Sequence, residues 1–112
     1  MTPFAADPRQ MLDKALKELK KQSLEIKIGA EIEFYLFKEN MEFVESNSES
    51  SLSSLVTFID DFDQLYTKLK EHDIQVEFIH KEVGNGQFEL VIKYGEPFKI
   101  LDDCYIAKEL IL

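Results

Sequence analysis

The sequence predicts an α+β fold in which a mainly antiparallel sheet is flanked by helices. Residues 25–37 alternate apolar and polar side chains, as a strand with one buried face does. Residues 11–19 place apolar side chains at helical spacing. Gly84-Asn85-Gly86 predicts a tight turn between two further alternating segments. Helices and strands are mixed without regular βαβ spacing, which favours α+β over a parallel α/β sheet.

The first helix is predicted to begin at Pro8 and to end near Ser23. Asp7 can cap it, because a carboxylate at this position accepts a hydrogen bond from a free backbone N–H group. Proline suits the first helical position, where its missing N–H group costs nothing. Apolar side chains then share one face of the helix: Met11, Leu12, Ala15, Leu16 and Leu19.

The middle of the chain predicts a short strand, a loop and a second helix. Residues 41–45 can pair back on the long strand, and the serine-rich residues 46–51 indicate a polar loop. Asp60 or Asp61 can cap the helix that follows. Its predicted buried stripe consists of Phe62, Leu65, Tyr66 and Leu69.

The last third of the chain predicts two strands and a helix. Residues 74–78 and residues 88–92 alternate as strands on either side of the glycine turn, and residues 99–111 indicate a helix. The apolar residues of the first strand have even numbers, as His80 and Glu82 do, so an uninterrupted strand would place all of them on one face. We therefore expect either a bulge near residues 79–81 or a different register.

The composition excludes several classes of function. The 112 residues carry 22 acidic and 13 basic side chains, a net charge of −9, which repels nucleic acid and anionic lipid. No apolar run is long enough to span a bilayer, and the N-terminus has no signal-peptide pattern. The single cysteine, Cys104, excludes an internal disulfide and a cysteine-based zinc site. We expect one small cytoplasmic domain over residues 1–112.

Two pairs of glutamates are the candidates for chemistry. Glu31 and Glu33 lie two residues apart on the long strand and share its polar face. If the Asn-Gly step forms a two-residue loop, Glu82 lies directly opposite Glu89 on the paired strand. Like charges across a ladder are destabilising, and a cation between them relieves the repulsion. Clustered glutamates favour Mg²⁺ or Mn²⁺ over zinc; a solvated strand face is the alternative.

Two segments resemble signature motifs of the glutamine synthetase family. Residues 29–37, which read GAEIEFYLF, are similar to the strand that begins the catalytic domain of that family. Residues 80–90, which read HKEVGNGQFEL, are similar to its second signature. The resemblance extends over residues 6–112, with a helix ahead of the first motif and another after the second. The glutamate spacing resembles the gamma-glutamyl-polyamine synthetase-like branch.

The resemblance implies an activity and its cofactors. Family members use ATP to join ammonia or an amine to the side-chain carboxylate of glutamate through a gamma-glutamyl phosphate, as in glutamine biosynthesis and nitrogen metabolism. They require Mg²⁺ or Mn²⁺. By this resemblance Glu33, Glu82 and Glu89 bind one metal ion, and Glu33 and Glu82 also bind the substrate glutamate. Glu31 binds a second metal ion, and Tyr94 lies against the nucleotide base or is an ordinary strand-end aromatic.

The resemblance assigns no catalytic residue to this chain, and it places other parts of the family outside residues 1–112. These parts are an N-terminal β-grasp domain, a downstream Asn-Gly-Ser-Gly-x-His segment that supplies a metal-binding histidine, and arginines that hold phosphate. The sequence has one arginine, Arg9. His80 is favoured as a strand histidine near the site, because the family's ligand histidine lies elsewhere.

Two functions are therefore kept open. The first is a partial catalytic domain of a ligase, inactive in isolation and active with the remaining parts from the full gene or from a companion chain. The second is a non-catalytic remnant that serves as a metal-binding or interaction module. In either case we expect a homo-oligomer or a complex with a companion chain, and no nucleic-acid or membrane partner.

Overall fold

Three strands and four helices make up the described part of the chain. The computed structural model describes Phe4, residues 6–44 and residues 52–112. Its elements are, in order, α1 (Pro8–Lys21), β1 (Ile28–Tyr35), α2 (Leu52–Thr57), α3 (Ile59–Glu71), β2 (Val76–Lys81), β3 (Gln87–Gly95) and α4 (Pro97–Ile111). The strands form one antiparallel sheet in the order β1-β3-β2, which confirms the predicted α+β class. No helix in these ranges has the length and apolar character needed to cross a bilayer.

The ends of β1 agree in part with the prediction. β1 is shorter than residues 25–37, and beyond it Phe37 and Phe43 form an isolated antiparallel bridge. Within residues 41–44, which the structure describes, the predicted return of residues 41–45 is a single pair. The loop predicted at residues 46–51 lies outside the described residues.

β3 is the central strand, and its backbone hydrogen bonds alternate between its two neighbours. The Leu36 N–H group donates to the Gly86 carbonyl at 2.8 Å, which assigns the even-numbered residues of β3 to hydrogen-bonded pairs with β1. The Glu82 N–H group donates to the Gln87 carbonyl at 2.9 Å, which assigns the odd-numbered residues to hydrogen-bonded pairs with β2. The backbone of β3 is therefore held from both sides.

A bulge in β2 reverses which of its side chains face the core. Val76 and Phe78 lie two residues apart but pair with adjacent residues of β3, so Glu77 is an extra residue in the ladder. After the bulge, Ile79 and Lys81 face inward and the even-numbered side chains face outward. The irregularity that the sequence predicts is present, two residues earlier than expected.

The core lies between the inner face of the sheet and helices α3 and α4. Its buried cluster draws on all of these elements: Ile32, Leu69, Ile74, Leu90, Ile92, Ile100 and Ala107. Phe88 is fully buried, and its ring centroid lies 6.2 Å from that of Phe34, 5.8 Å from Phe58 and 5.0 Å from Phe62. The even-numbered residues of β1 face this core, as their alternation predicts.

α3 begins without the predicted aspartate cap. Its N-cap residue is Phe58, which makes no side-chain capping bond, and Asp60 and Asp61 lie in the first turn instead. Carboxylates are favourable there, because they face the positive end of the helix dipole. Tyr66, predicted to be buried, is exposed. The other members of the predicted stripe pack inward: Phe62, Leu65 and Leu69.

α1 is attached to the body of the domain at its first turn. Asp7 accepts a hydrogen bond from the Arg9 N–H group at 2.9 Å, which confirms the predicted cap. The Arg9 guanidinium donates to Asp102 of α4 and lies 5.1 Å from the centroid of the Phe98 ring. This hydrogen bond to Asp102 raises the pKa of Arg9. None of the residues of α1 is buried.

Candidate metal centre

The outer face of the sheet carries a row of ionisable side chains, one from each strand. Glu33 of β1 lies directly opposite Glu89 of β3, and Glu89 lies directly opposite His80 of β2. The predicted pairing of Glu82 with Glu89 is wrong, because the four residues 83–86 separate the paired Glu82 and Gln87, whereas the prediction places two residues between Gly84 and Gln87. Glu82 pairs with Gln87 through its N–H group instead. The like-charge pair of the ladder is therefore Glu33 and Glu89.

The ring of His80 lies between two carboxylates. Its Nε2 atom is 3.2 Å from Oε1 of Glu82 and 3.4 Å from Oε1 of Glu89. One ligand atom from each of these three residues lies within 4.8 Å of the others. Glu89 is only 8% exposed, so part of its hydration has been replaced by these neighbours. The sequence offers a signal for His80, the His-x-Glu spacing, but that spacing becomes informative only once the bulge has turned both side chains outward.

The side chain of Gln87 links Glu33 to the loop. Its Nε2 atom donates to Oε2 of Glu33 at 2.7 Å, and its Oε1 atom accepts from the Gly84 N–H group at 3.0 Å. Sequence reasoning assigns no role to Gln87, although it follows the glycine turn directly. In the structure it orients the carboxylate of Glu33 with respect to the loop that carries Glu82.

The loop itself depends on Gly86. This residue has a φ of +63°, a conformation that residues with a Cβ atom rarely adopt. A Cβ atom built on it would lie 2.8 Å from the backbone oxygen of Leu36. The absence of a side chain therefore lets the loop approach β1 closely enough for the hydrogen bond between the Leu36 N–H group and the Gly86 carbonyl.

Glu31 and Tyr94 lie further along the outer face. Glu31 pairs with Val91, and it lines a shallow depression together with Tyr94 and Gly29. Tyr94 is 59% exposed, and its ring centroid lies 5.7 Å from Nζ of Lys27. The structure thus brings Glu82, Glu89 and His80 close together and places Glu33 beside them, and it leaves Glu31 and Tyr94 together at the other end of the face.

A comparison with known proteins shows the family to which this chain belongs. A family model described as the catalytic domain of glutamine synthetase matches residues 5–112. The chain belongs to the glutamine synthetase family. The prediction from the two sequence motifs is confirmed at this level, and the finer assignment to the gamma-glutamyl-polyamine synthetase-like branch stays a prediction.

Individual relatives agree with this assignment. The glutamine synthetase of Pyrococcus woesei is 33% identical over 114 residues, which cover 95% of this chain and 26% of the relative. That of Methanosarcina mazei is 27% identical over 115 residues, with 97% and 26% covered. The type-1 glutamine synthetase 1 of Dictyostelium discoideum is 28% identical over 130 residues, with 99% and 25% covered. The chain spans about a quarter of the length of these relatives.

A solved structure has the same fold. The structure described as "GmaS/ADP complex-Conformation 1" is similar with a TM-score of 0.78 and 19% sequence identity, and the match covers 93% of this chain and 26% of that one. The arrangement of helices around the antiparallel sheet is therefore that of part of a known larger structure.

The donor set of this glutamine synthetase-like face suits a hard divalent cation. Glu82, Glu89 and Glu33 offer carboxylate oxygens, the preferred ligands of Mg²⁺ and Mn²⁺, and His80 adds an imidazole nitrogen that Mn²⁺ accepts. The hydrogen bond that Gln87 donates to Glu33 orients one of these carboxylates on the outer face.

Neutralising Glu33 is expected to stabilise the metal-free chain. Glu33 and Glu89 form a non-hydrogen-bonded pair, the type in which opposite side chains are closest, and like charges there are destabilising. Glu33→Gln removes the repulsion and keeps an oxygen that accepts from Gln87. We expect the free energy of unfolding, measured by urea denaturation in EDTA, to rise by roughly 0.2–1 kcal/mol.

Glu31→Gln is the matched control for this measurement. It removes the same charge from the same face of β1, opposite Val91 rather than opposite a carboxylate. We expect a smaller gain from it. A Glu33→Gln variant that unfolds more easily than the wild type would show that the charge of Glu33 contributes more through its hydrogen bond to Gln87 than it costs by repulsion.

Proposed function

We propose that this chain supplies metal-binding carboxylates to a glutamine synthetase-type ligase. The reaction would join ammonia or an amine to the side-chain carboxylate of glutamate at the expense of ATP. One observation carries the proposal: one ligand atom from each of Glu82, Glu89 and His80 lies within 4.8 Å of the others, and Glu33 lies directly opposite Glu89. These are positions where the sequence resembles the family's signatures.

The chemistry explains why such a face is needed. The γ-phosphoryl group of ATP moves to an oxygen of the glutamate side-chain carboxylate, and ADP leaves. The amine nitrogen then forms a bond to the carbonyl carbon of the gamma-glutamyl phosphate and loses a proton, while the bond from that carbon to the phosphate oxygen breaks and inorganic phosphate leaves. A divalent cation bound at this face would supply charge neutralisation for the phosphates. Glu33, Glu82 and Glu89 would hold one such ion, and Glu33 and Glu82 would also bind the substrate glutamate.

The other end of the face fits the remaining assignments of the family. Glu31 would contribute to a second metal site nearer the transferred phosphoryl group. Tyr94 is exposed and shares a depression with Glu31, so its ring is available to lie against the nucleotide base. Both assignments rest on the sequence resemblance together with this shared position.

Calorimetric titration with Mn²⁺ tests the metal site. Because the site is open and uses few rigid ligands, we expect a dissociation constant of about 10 µM to 1 mM. Glu82→Gln/Glu89→Gln should abolish the binding heat. The double variant Glu71→Gln/Glu109→Gln removes the same charge from exposed positions on α3 and α4 and should bind as the wild type does. Equal heats for both double variants would refute a specific site.

A non-catalytic metal-binding or interaction module is the second candidate function. The positions of two cationic side chains favour it. Arg9, the only arginine of the sequence, is hydrogen-bonded to Asp102, and Lys81 faces the inner side of the sheet. Neither is positioned to receive phosphate on the outer face. Lys27 lies beside Tyr94 at the other end of that face, so the ligase proposal requires that further phosphate-binding groups come from other polypeptide segments.

We further propose that the chain functions as an assembly in the cytoplasm, with copies of itself or with a companion polypeptide. Within the described residues no strand pairs with the outer edge of β1 or of β2. Large apolar side chains beside these strands are exposed, namely Tyr35, Phe37, Phe43 and Phe78. Unpaired edges and apolar patches favour association. Light scattering at tens of micromolar should give a mass above 13.1 kDa; a clean monomer at moderate salt would contradict self-association.

A further inference from the structure

Lys81 is the one charged side chain that β2 directs into the interior. The bulge at Glu77 sets this direction, and Lys81 is only 1% exposed, the largest fully buried side chain in the described part of the chain. A buried ammonium group is costly unless hydrogen bonds and charges compensate it. Lys81 directly precedes Glu82, and the groups that compensate its charge lie in the loop after β2.

The hydrogen bonds of Lys81 reach the loop that carries the metal ligand. Its Nζ atom donates to the backbone carbonyl of Glu82 and, at 2.5 Å, to the backbone carbonyl of Gly84. It also lies 5.8 Å from the centroid of the Phe88 ring, which fixes the side chain against the core. Lys81 thus connects the core to the backbone carbonyls of Glu82 and Gly84 in the loop.

The position of Glu82 makes this connection necessary. β2 ends at Lys81, so Glu82 lies beyond the regular ladder and joins β3 through its N–H group alone. Its carboxylate must nevertheless stay near His80 and near the like charge of Glu89. Because repulsion favours a rotation of the Glu82 backbone away from the cluster, a bond that holds its carbonyl opposes that rotation.

We propose that Lys81 is a positioning residue for the metal centre. It holds the Glu82 carbonyl, and through it the direction in which the Glu82 side chain leaves the backbone, so that the three ligand atoms converge before a cation arrives. This inference rests on the proposed metal-binding function, which it deepens by naming the group that organises the site.

Two roles of Lys81 predict opposite signs and can therefore be separated. If the ammonium group acted only through its charge, removing it would strengthen the binding of a cation, because one repulsive charge would be lost. If Lys81 positions Glu82, removing it weakens binding. Loss of a group that orients a metal ligand typically costs 10- to 100-fold in metal affinity, so we expect Lys81→Met to bind Mn²⁺ roughly 10-fold more weakly or worse.

The experiment compares Mn²⁺ affinity with the stability of the metal-free chain. Lys81→Met and Lys81→Gln are titrated with Mn²⁺ by calorimetry and by the EPR signal of the free ion, and each is unfolded with urea in EDTA. Lys99→Met is the control for removing a lysine that donates to a backbone carbonyl, here that of Asp73, far from the candidate centre on α4. Lys99 is half-exposed and also pairs with the buried carboxylate of Asp103, so this variant can lose stability by itself. It should bind Mn²⁺ as the wild type does.

The expected result is weaker Mn²⁺ binding by both Lys81 variants, each of which keeps the near-UV circular dichroism of the wild type. Removing the ammonium group takes its hydrogen bonds from the carbonyls of Glu82 and Gly84, so some loss of stability is expected as well. Equal or tighter binding by either folded variant would overturn the proposal. An affinity loss that occurs only together with loss of the near-UV circular dichroism would also overturn it, because it would report general unfolding.

The same titration separates this proposal from the one on which it depends. A wild-type chain that binds no Mn²⁺ refutes the metal site and the positioning role together. A wild-type chain that binds Mn²⁺, with Lys81 variants that bind equally well, refutes the positioning role alone.

Discussion

Incubation of the 112-residue chain with ATP, glutamate, Mg²⁺ and ammonia or an amine is expected to give no gamma-glutamyl product and no phosphate release above background. Glu31, Glu33, Glu82 and Glu89 lie on the outer face of the sheet, so a phosphoryl group there meets negative charge. The loss of one preorganised contact to developing charge costs roughly 10²- to 10³-fold in rate. Arg9 is bonded to Asp102 and Lys81 is turned inward, so neither offsets that charge.

The informative measurement is complementation. A second polypeptide that carries the remaining part of the catalytic domain of a relative is added, and phosphate release is followed in the mixture. Activity that requires both polypeptides and is lost in Glu33→Gln supports the ligase proposal. Release of phosphate by the 112-residue chain alone, again lost in Glu33→Gln, would contradict the expectation, whereas no activity in any mixture would favour the non-catalytic module.

Phe88→Ala is expected to cause the largest loss of stability of the substitutions considered. The ring is fully buried and packs against Phe34, Phe58 and Phe62, so its removal leaves a cavity that the central strand cannot close by moving. We expect the free energy of unfolding to fall by about 3–5 kcal/mol, measured by urea or thermal denaturation.

Phe78→Ala is the matched control for this core substitution. Phe78 is also a phenylalanine of the sheet, but it lies on the outer face of β2 and is 50% exposed. Its truncation should cost about 1 kcal/mol or less, because most of the cost of large-to-small substitution comes from buried contacts. Equal losses for the two variants would mean that the outer face is packed against something in solution.

Periodic burial explains what could be predicted from the sequence. β1 has one face on the core over its full length, so its side chains alternate without interruption and the pattern predicts both the strand and its orientation. The cap of α1 can also be predicted from the sequence, because Asp7 and Pro8 are local signals that require no knowledge of the tertiary structure. Helix α2, in contrast, is short and lacks an apolar stripe, so no periodicity in its sequence predicts it.

Register explains most of what could not be predicted. A two-residue loop of the favoured hairpin type needs a positive φ at both central residues, and here Gly86 has one while Asn85 does not. The loop is therefore longer, and Glu89 faces Glu33 and His80 instead of Glu82. The bulge at Glu77 has no distinct sequence signature, although the charged residues that follow it indicate that the parity changes. The family resemblance predicts the roles of the glutamates, whereas the strand register of the structure shows which of them lie next to one another.

Because β3 is the central strand, Glu89 is held more rigidly than the other residues of the candidate centre. Glu89 stands on a strand whose amide protons are protected by both neighbours, whereas Glu33 and Glu82 belong to segments held by β3 from one side within the described sheet. Hydrogen exchange should accordingly be slowest at Glu89. A cation bound by side chains from all three strands would act as a crosslink between them. It would raise the free energy of local opening for β1 and for the end of β2, so hydrogen exchange in these two outer strands would slow when the site is occupied.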